Sequence, residues 1–147
     1  YNARFGDPEV FNVLSLLESD FLDLCIAILR GTLRPEDARF AHKATVCKYA
    51  VPNGYPDNPL KDEKIDITAV SDTDHLYLGA VDARDDALYE TGSRTLAMVG
   101  IAGTIGEAER IAEEEIQRVH GPLYHRQDIG TEALIKKRVD MMNELRK

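Results

Sequence analysis

Tryptophan is absent from the chain, and cysteine is nearly so, with only Cys25 and Cys47 in 147 residues. Two thiols cannot build the disulfide framework of a small secreted domain, and no charged segment followed by an apolar run opens the sequence. A reducing, cytoplasmic setting is expected, with both cysteines as small core residues. Long apolar runs are missing as well: the richest stretch, residues 10–29, is broken by Asn12, Glu18, Asp20 and Asp23. A bilayer core asks for ~20 consecutive apolar residues, so no membrane partner is expected. Basic charge is also short. Against 26 Asp and Glu stand 18 Lys and Arg, a formal net charge of -8, and the longest basic run is Lys136-Lys137-Arg138. A field of that sign repels polyanions, which argues against nucleic acid as a partner. Walker A loops, Gly-x-Ser-x-Gly elbows and internal repeats are lacking too, which removes P-loop and triad-hydrolase readings. His42, His75, His120 and His125 lack the spacing of a zinc set.

What is present is the composition of a folded domain, 44% hydrophobic and 30% charged. Val10, Leu14, Leu17, Phe21, Leu24 and Ile28 recur in steps of four and three, which predicts one long amphipathic helix over residues 8–30 with Gly31 as its C-cap. Residues 44–51 are rich in β-branched and aromatic side chains and predict a strand, followed by a long turn-dense loop. Further strands are expected at 74–81, 87–90 and 94–101, the first two separated by a turn over residues 82–86. Thr104-Ile-Gly-Glu107 has the form of a capping box and opens a helix that should bury Ile105, Ala108, Ala112, Ile116 and Val119 and end at His120-Gly-Pro. On that helix Glu113-Glu-Glu115 reads as a solvated face. Residues 131–147 carry Leu134, Val139, Met142 and Leu145 at helical spacing and predict a final helix. Strands are grouped rather than alternating with helices, so the expected class is α+β: a long amphipathic helix leading into a mostly antiparallel sheet or half-barrel with two further helices.

The segment Asn2-Ala-Arg4-Phe-Gly6-Asp7-Pro8-Glu9 puts an amide, a guanidinium and two carboxylates ahead of a helix. An amide oxygen suits Mg²⁺, an arginine fork suits phosphate or carboxylate, and Gly6 lets backbone approach a ligand. From composition alone the favoured reading of the same residues is helix-start chemistry, with Asp7 or Glu9 on the helix dipole, Pro8 in the first turn and Arg4 in a surface ion pair.

Tyr-Asn-Ala-Arg-Phe-Gly-Asp-Pro-Glu, at residues 1–9, resembles the Glu-x-Asn-x-Arg-Phe-Gly-Asp-Pro-Glu signature of phosphoribosylamine–glycine ligases, members of the ATP-grasp superfamily. Three further strings resemble that family in the same order. Asn53-Gly54-Tyr55-Pro56 is similar to its Gly-Gly-Tyr-Pro loop, and Thr91-Gly-Ser-Arg94 to its Ser-Gly-Gly-Arg segment. Tyr124-His-Arg126-Gln-Asp128-Ile-Gly130 is similar to its Tyr-x-Arg-x-Asp-Ile-Gly string.

The resemblance implies ATP-dependent joining of glycine to 5-phosphoribosylamine, through a glycyl phosphate that the amine then attacks, with ATP and Mg²⁺ or Mn²⁺ as cofactors. By it Asn2 is a metal ligand, Arg4 a catalytic phosphate contact, and Gly6, Asp7, Pro8, Glu9, Arg94, Arg126 and Asp128 line the substrate site. Arg126 is the first candidate for the substrate 5′-phosphate, and an Arg126–Asp128 turn contact is the plainer reading of the same pair. An ordered turn is as good a reading of residues 53–56 as ligand contact. The family's second metal-ligand Glu falls one position before Tyr1. The resemblance therefore implies the closing portion of a longer enzyme: residues 1–30 as the end of the ATP-grasp domain, 31–147 as the C-terminal ligase domain, upstream ATP-grasp domains as partners, and no activity for this piece alone. A non-catalytic docking module and a different ATP-grasp ligase are the rival classes.

Overall fold

A computed structural model describes residues 3–146 of the chain. They fall into two compact units, Tyr1–Lys43 and Ala44–Lys147. Asn2, the expected metal ligand, lies outside the described residues.

In the first unit the expected long helix is two: α1, Glu9–Leu14, and α2, Phe21–Arg30. The break follows from side chains that compete with the helix ladder. The Asp20 carboxylate accepts the N–H groups of Leu22 at 2.8 Å and Asp23 at 3.0 Å and so starts a new helix. The linking backbone bonds elsewhere: Glu18 N–H donates to the Arg39 carbonyl at 2.9 Å, and Ala41 N–H to that of Leu16 at 2.8 Å. Ser19 donates its hydroxyl to the Asp37 carbonyl and accepts Arg39 N–H. A short 3₁₀ turn, Pro35–Asp37, brings the chain back for this pairing. Gly31 caps α2 in the left-handed conformation, φ 65°, as its position predicts.

The second unit holds β1 Ala44–Pro52, β2 Lys64–Ile65, β3 Leu76–Leu78, β4 Val81–Arg84, β5 Ala87–Glu90, β6 Leu96–Ala102, α3 Ile105–Ile116, β7 Leu123–His125 and α4 Glu132–Leu145. The strands are antiparallel, as expected, and form two sheets, β3-β6-β1-β7 and β2-β5-β4. With four α-helices among the described residues, the class is α+β.

The expected strand over 74–81 divides at Gly79-Ala80, whose N–H groups turn to the carbonyls of Thr95 and Arg94. β3 stays with β6, while β4 leaves to pair with β5. β4 runs into the segment read as a turn, and the turn contracts to Asp85-Asp86, both at positive φ, the geometry of a two-residue hairpin.

The central pair is β1 with β6, in register from Ala44 opposite Ala102 to Ala50 opposite Leu96, with α3 packed over it. Gly100 of β6 faces the α3 backbone, where an added Cβ would meet the Ala108 carbonyl oxygen and lie 2.8 Å from Ala112 N. The absence of a side chain therefore sets the helix–sheet distance. Ala50, Ile65, Val70, Leu96, Met98 and Ile116 form the buried cluster at one end of this contact, and Val46, Ala108 and Ala112 a smaller one at the other.

Thr104 caps α3 through its hydroxyl, which accepts Glu107 N–H at 3.2 Å. Three expectations on that helix change. Ile105 in the first turn stays exposed, and Val119 lies beyond the helix end, which comes at Gln117, yet packs on the core. Glu115 is buried rather than solvated: its carboxylate accepts Ser71 N–H at 2.7 Å and pairs with Arg118 at 2.6 Å. Thr131 caps α4.

Candidate functional site

β1 alternates Val46, Lys48 and Ala50 toward α3, so a lysine occupies a position that its neighbours fill with apolar groups. Its side chain has 0% exposure. A buried ammonium is tolerated only when its donors are all engaged, and Lys48 meets that condition. Nζ donates to Glu109 Oε1 at 2.7 Å, to Glu113 Oε2 at 2.5 Å and to the Gln127 carbonyl at 3.0 Å. Glu109 and Glu113 are one helical turn apart on α3, which aims both carboxylates at one point. Glu113 also takes His125 Nε2 at 3.1 Å and Gln117 Nε2 at 2.7 Å. Burial pushes the Glu113 carboxyl up, but the hydrogen bonds from Lys48, His125 and Gln117 outweigh it and leave the group below its ordinary value.

The carbonyl that Lys48 holds belongs to the turn carrying Arg126 and Asp128. This turn is anchored along its length. His125 ends β7 on Glu113, Ile129 packs on Val46, Ala108 and Ala112, and Gly130 sits at φ 83° where a Cβ would come within 2.8 Å of Val46 Cγ1. Arg126 and Asp128 project from it with side-chain exposures of 61% and 51%. They form a two-point pair, Nε to Oδ1 at 3.0 Å and Nη2 to Oδ2 at 2.7 Å. Hydrogen bonds from Arg126 hold the Asp128 carboxyl below its ordinary range, and the same contact raises the Arg126 guanidinium further. The turn contact anticipated from sequence is therefore present. It occupies the Nε–Nη2 edge of the guanidinium, and the Nη1 edge of an arginine can still fork onto a second anion.

Arg94 lies just before β6. Its guanidinium lies 6.0 Å from the Tyr49 ring centroid, and the next residue of β1, Ala50, pairs with His125, the residue before Arg126. Beneath the Arg94 loop, Glu90 has 0% exposure and accepts Gly92 N–H at 2.8 Å, with Gly92 at φ 89°. The structure thus brings two of the arginines singled out from sequence to the same strand, each on a braced loop. Residues 53–56 form an ordered turn: Asn58 N–H donates to the Gly54 carbonyl at 2.8 Å, and Tyr124 Oη donates to that of Tyr55 at 2.8 Å.

Arg4, Gly6, Asp7, Pro8 and Glu9 belong to the other unit. Arg4 is exposed and donates to the Phe5 carbonyl at 2.8 Å, Gly6 is buried against the Glu9 side chain, and Pro8 is the N-cap of α1. Among the described residues no three His, Cys, Asp or Glu side chains gather as a metal set. Lys48 and Glu90 are residues that sequence reasoning passed over, and Glu109 and Glu113, read from sequence as solvated, instead turn to the buried Lys48 with side-chain exposures of 18% and 19%. The usable signal was a lysine in phase with the inward residues of a strand, together with two glutamates at i, i+4 on the next helix.

The α+β fold is that of a C-terminal domain of a larger family: residues 45–132 match the family Phosphoribosylglycinamide synthetase, C domain, and the chain belongs to that family. Two curated relatives carry the name phosphoribosylamine–glycine ligase. One, from Methanocaldococcus jannaschii, is 53% identical over 100% of this chain and 34% of its own length. Another, from Methanosarcina barkeri, is 51% identical over 99% of this chain and 34% of its own length. A crystal structure of phosphoribosylamine–glycine ligase from Thermotoga maritima superposes with a TM-score of 0.72 at 28% identity, covering 87% of this chain and 32% of that one. The chain therefore spans about a third of the length of the curated relatives it matches.

Proposed function

We propose that this chain is the C-terminal part of a phosphoribosylamine–glycine ligase, which uses ATP to join glycine to 5-phosphoribosylamine in purine biosynthesis and releases glycinamide ribonucleotide, ADP and phosphate. The observation that carries this reading is that relatives of that name are similar to the chain from end to end, at 53% and 51% identity. Within it, residues 1–30 close the ATP-grasp domain and 31–147 form the C-terminal ligase domain of a cytoplasmic enzyme. No helix among the described residues is long and apolar enough to cross a membrane.

The chain's own contribution is to bind and orient the amine substrate. A sugar phosphate carries about two negative charges, and planar guanidinium groups on rigid loops match its oxygens. Arg126 takes the 5′-phosphate through its open edge while Asp128 orients it, and Arg94 adds a second positive group near Tyr49. Such positioning lowers the barrier by holding the amine at its electrophile, with no covalent enzyme nucleophile. ATP and Mg²⁺ or Mn²⁺ act in the whole ligase. The described residues near Arg4 supply Asp7 and Glu9 but not a complete metal set, so the metal role rests on Asn2 and on residues outside this sequence. Gly6, Asp7, Pro8 and Glu9 shape the approach to that site, and Arg4 contacts phosphate there. The exposed apolar side chains of α2 and α4, among them Leu29 at 86% and Leu145 at 74%, are surfaces that upstream domains of the same enzyme would cover.

Arg126→Ala in the whole ligase is expected to lower kcat/KM for phosphoribosylamine about ten- to hundredfold, the effect of losing a charge-assisted contact. The KM values for glycine and ATP should hold. Unchanged steady-state constants for phosphoribosylamine would sink the phosphate assignment.

A further inference from the structure

Lys48 lies beneath the Arg126 turn, in the sheet, and nothing in the proposed chemistry uses it. Its ammonium is fully enclosed, yet one of its donors goes not to a carboxylate but to the carbonyl of Gln127, the residue between Arg126 and Asp128. The two carboxylates beside it come from α3, and one of them, Glu113, also grips His125, the residue before Arg126. A single buried cation therefore links the strand and the helix to the Gln127 carbonyl on one side of Arg126 and, through Glu113, to the His125 side chain on the other. A charge needed only for packing would have been replaceable by an apolar side chain, since buried ion pairs commonly contribute no more stability than well-packed hydrophobic groups. Here the charge also fixes the carbonyl of an otherwise exposed turn, whose neighbours Arg126, Gln127 and Asp128 are all on the surface. Loops that bind phosphate need such support, because a displacement of about 1 Å in a binding group is enough to cost most of its contribution.

We propose that Lys48 is a positioning residue for substrate binding: through Gln127 and the Glu113–His125 pair it holds the Arg126 turn in the geometry that receives the phosphate of the amine substrate. This rests on the reading of Arg126 given above. Lys48 touches no substrate and acts only through the turn.

The test is a double-mutant cycle in the whole ligase, with Lys48→Met, Arg126→Ala and the pair, and Glu113→Gln as a near-isosteric variant that loosens the same turn while leaving Lys48 in place. Lys48→Met is expected to raise KM for phosphoribosylamine about tenfold, with the KM values for glycine and ATP within about twofold of the parent. Glu113→Gln should move the same constant in the same direction by less. In the Arg126→Ala background the Lys48 effect should vanish, because there is no guanidinium left to position. Equal rises in all three KM values, or additive effects of Lys48→Met and Arg126→Ala, would overturn the proposal and leave Lys48 a purely structural residue. If Lys48→Met does not accumulate as folded enzyme, Glu113→Gln decides: an unchanged phosphoribosylamine KM overturns the proposal, and a selective rise that disappears without Arg126 supports it. The underlying reading fails separately, by an Arg126→Ala enzyme with unaltered phosphoribosylamine kinetics, and the proposal falls with it.

Discussion

Glu113 carries more interactions than a surface glutamate could, and its protonation should be visible in the stability of the fold. Hydrogen bonds from Lys48, His125 and Gln117 outweigh the effect of burial and hold its carboxyl below the ordinary range. In the unfolded chain the group takes up a proton at its ordinary value, so just below that pH the unfolded state binds more protons than the folded one. The stability from this lowered value is therefore full above the ordinary glutamate range and is lost as pH falls through the lowered value. Urea unfolding of the chain between neutral and acid pH should show this loss, and Glu113→Gln should flatten the acid limb while lowering stability at neutral pH. An acid limb of unchanged steepness in the variant would mean that other carboxylates carry it. At this scale the sequence was informative only where chemistry was concentrated in a short string. Arg94, Arg126 and Asp128 stood out because their neighbours carried a motif. Lys48 did not, because its partners lie 61, 65 and 79 positions away and no local pattern connects them.

Among the elements, the contact of α3 with the β1–β6 pair brings Glu109 and Glu113 to Lys48 and so braces the Arg126 turn. Gly100 makes it possible, since the helix backbone at Ala108 and Ala112 occupies the space a side chain would need. Gly100→Ala must push α3 off the sheet, at a cost on the order of 2 kcal/mol for an overpacked core. The urea midpoint of the chain should fall accordingly with little change in slope; a midpoint within error of the parent would show that the helix yields freely. The helices and the long strands were legible from periodicity and caps: Thr104 starts α3, Gly31 ends α2, and β1 and β6 appear within two residues of their expected bounds. The break between α1 and α2 was obscured because the apolar spacing runs straight across it, and only the capping residue Asp20 marks the restart. β2 and β7 are two and three residues long, too short for any alternation to register. Their existence is decided by long-range pairing with β5 and β1.

For the molecule as a whole, the net charge of -8 is compatible with the proposed phosphate contacts because those would be local. Arg94 lies over the Tyr49 ring of β1 and Arg126 directly follows β7, which pairs with β1, whereas acidic residues are spread along the chain. A field of this kind discourages polyanions without preventing a small phosphate from reaching an arginine at close range. The family match over residues 45–132 covers this part of the chain and with it both arginine loops. The remaining two thirds of the relatives' length lies beyond the matched region, and under the proposed function the nucleotide would be bound there. The central claim is that this segment serves amide formation between glycine and phosphoribosylamine. Its most direct test is the yield of ADP and glycinamide ribonucleotide from the whole ligase with each substrate omitted in turn, run beside the 147-residue chain alone. The account predicts equal amounts of ADP and glycinamide ribonucleotide only when ATP, glycine and phosphoribosylamine are all present, and no product from the isolated chain. It is contradicted by product formation from the isolated chain, or by a whole protein that releases ADP with no requirement for phosphoribosylamine.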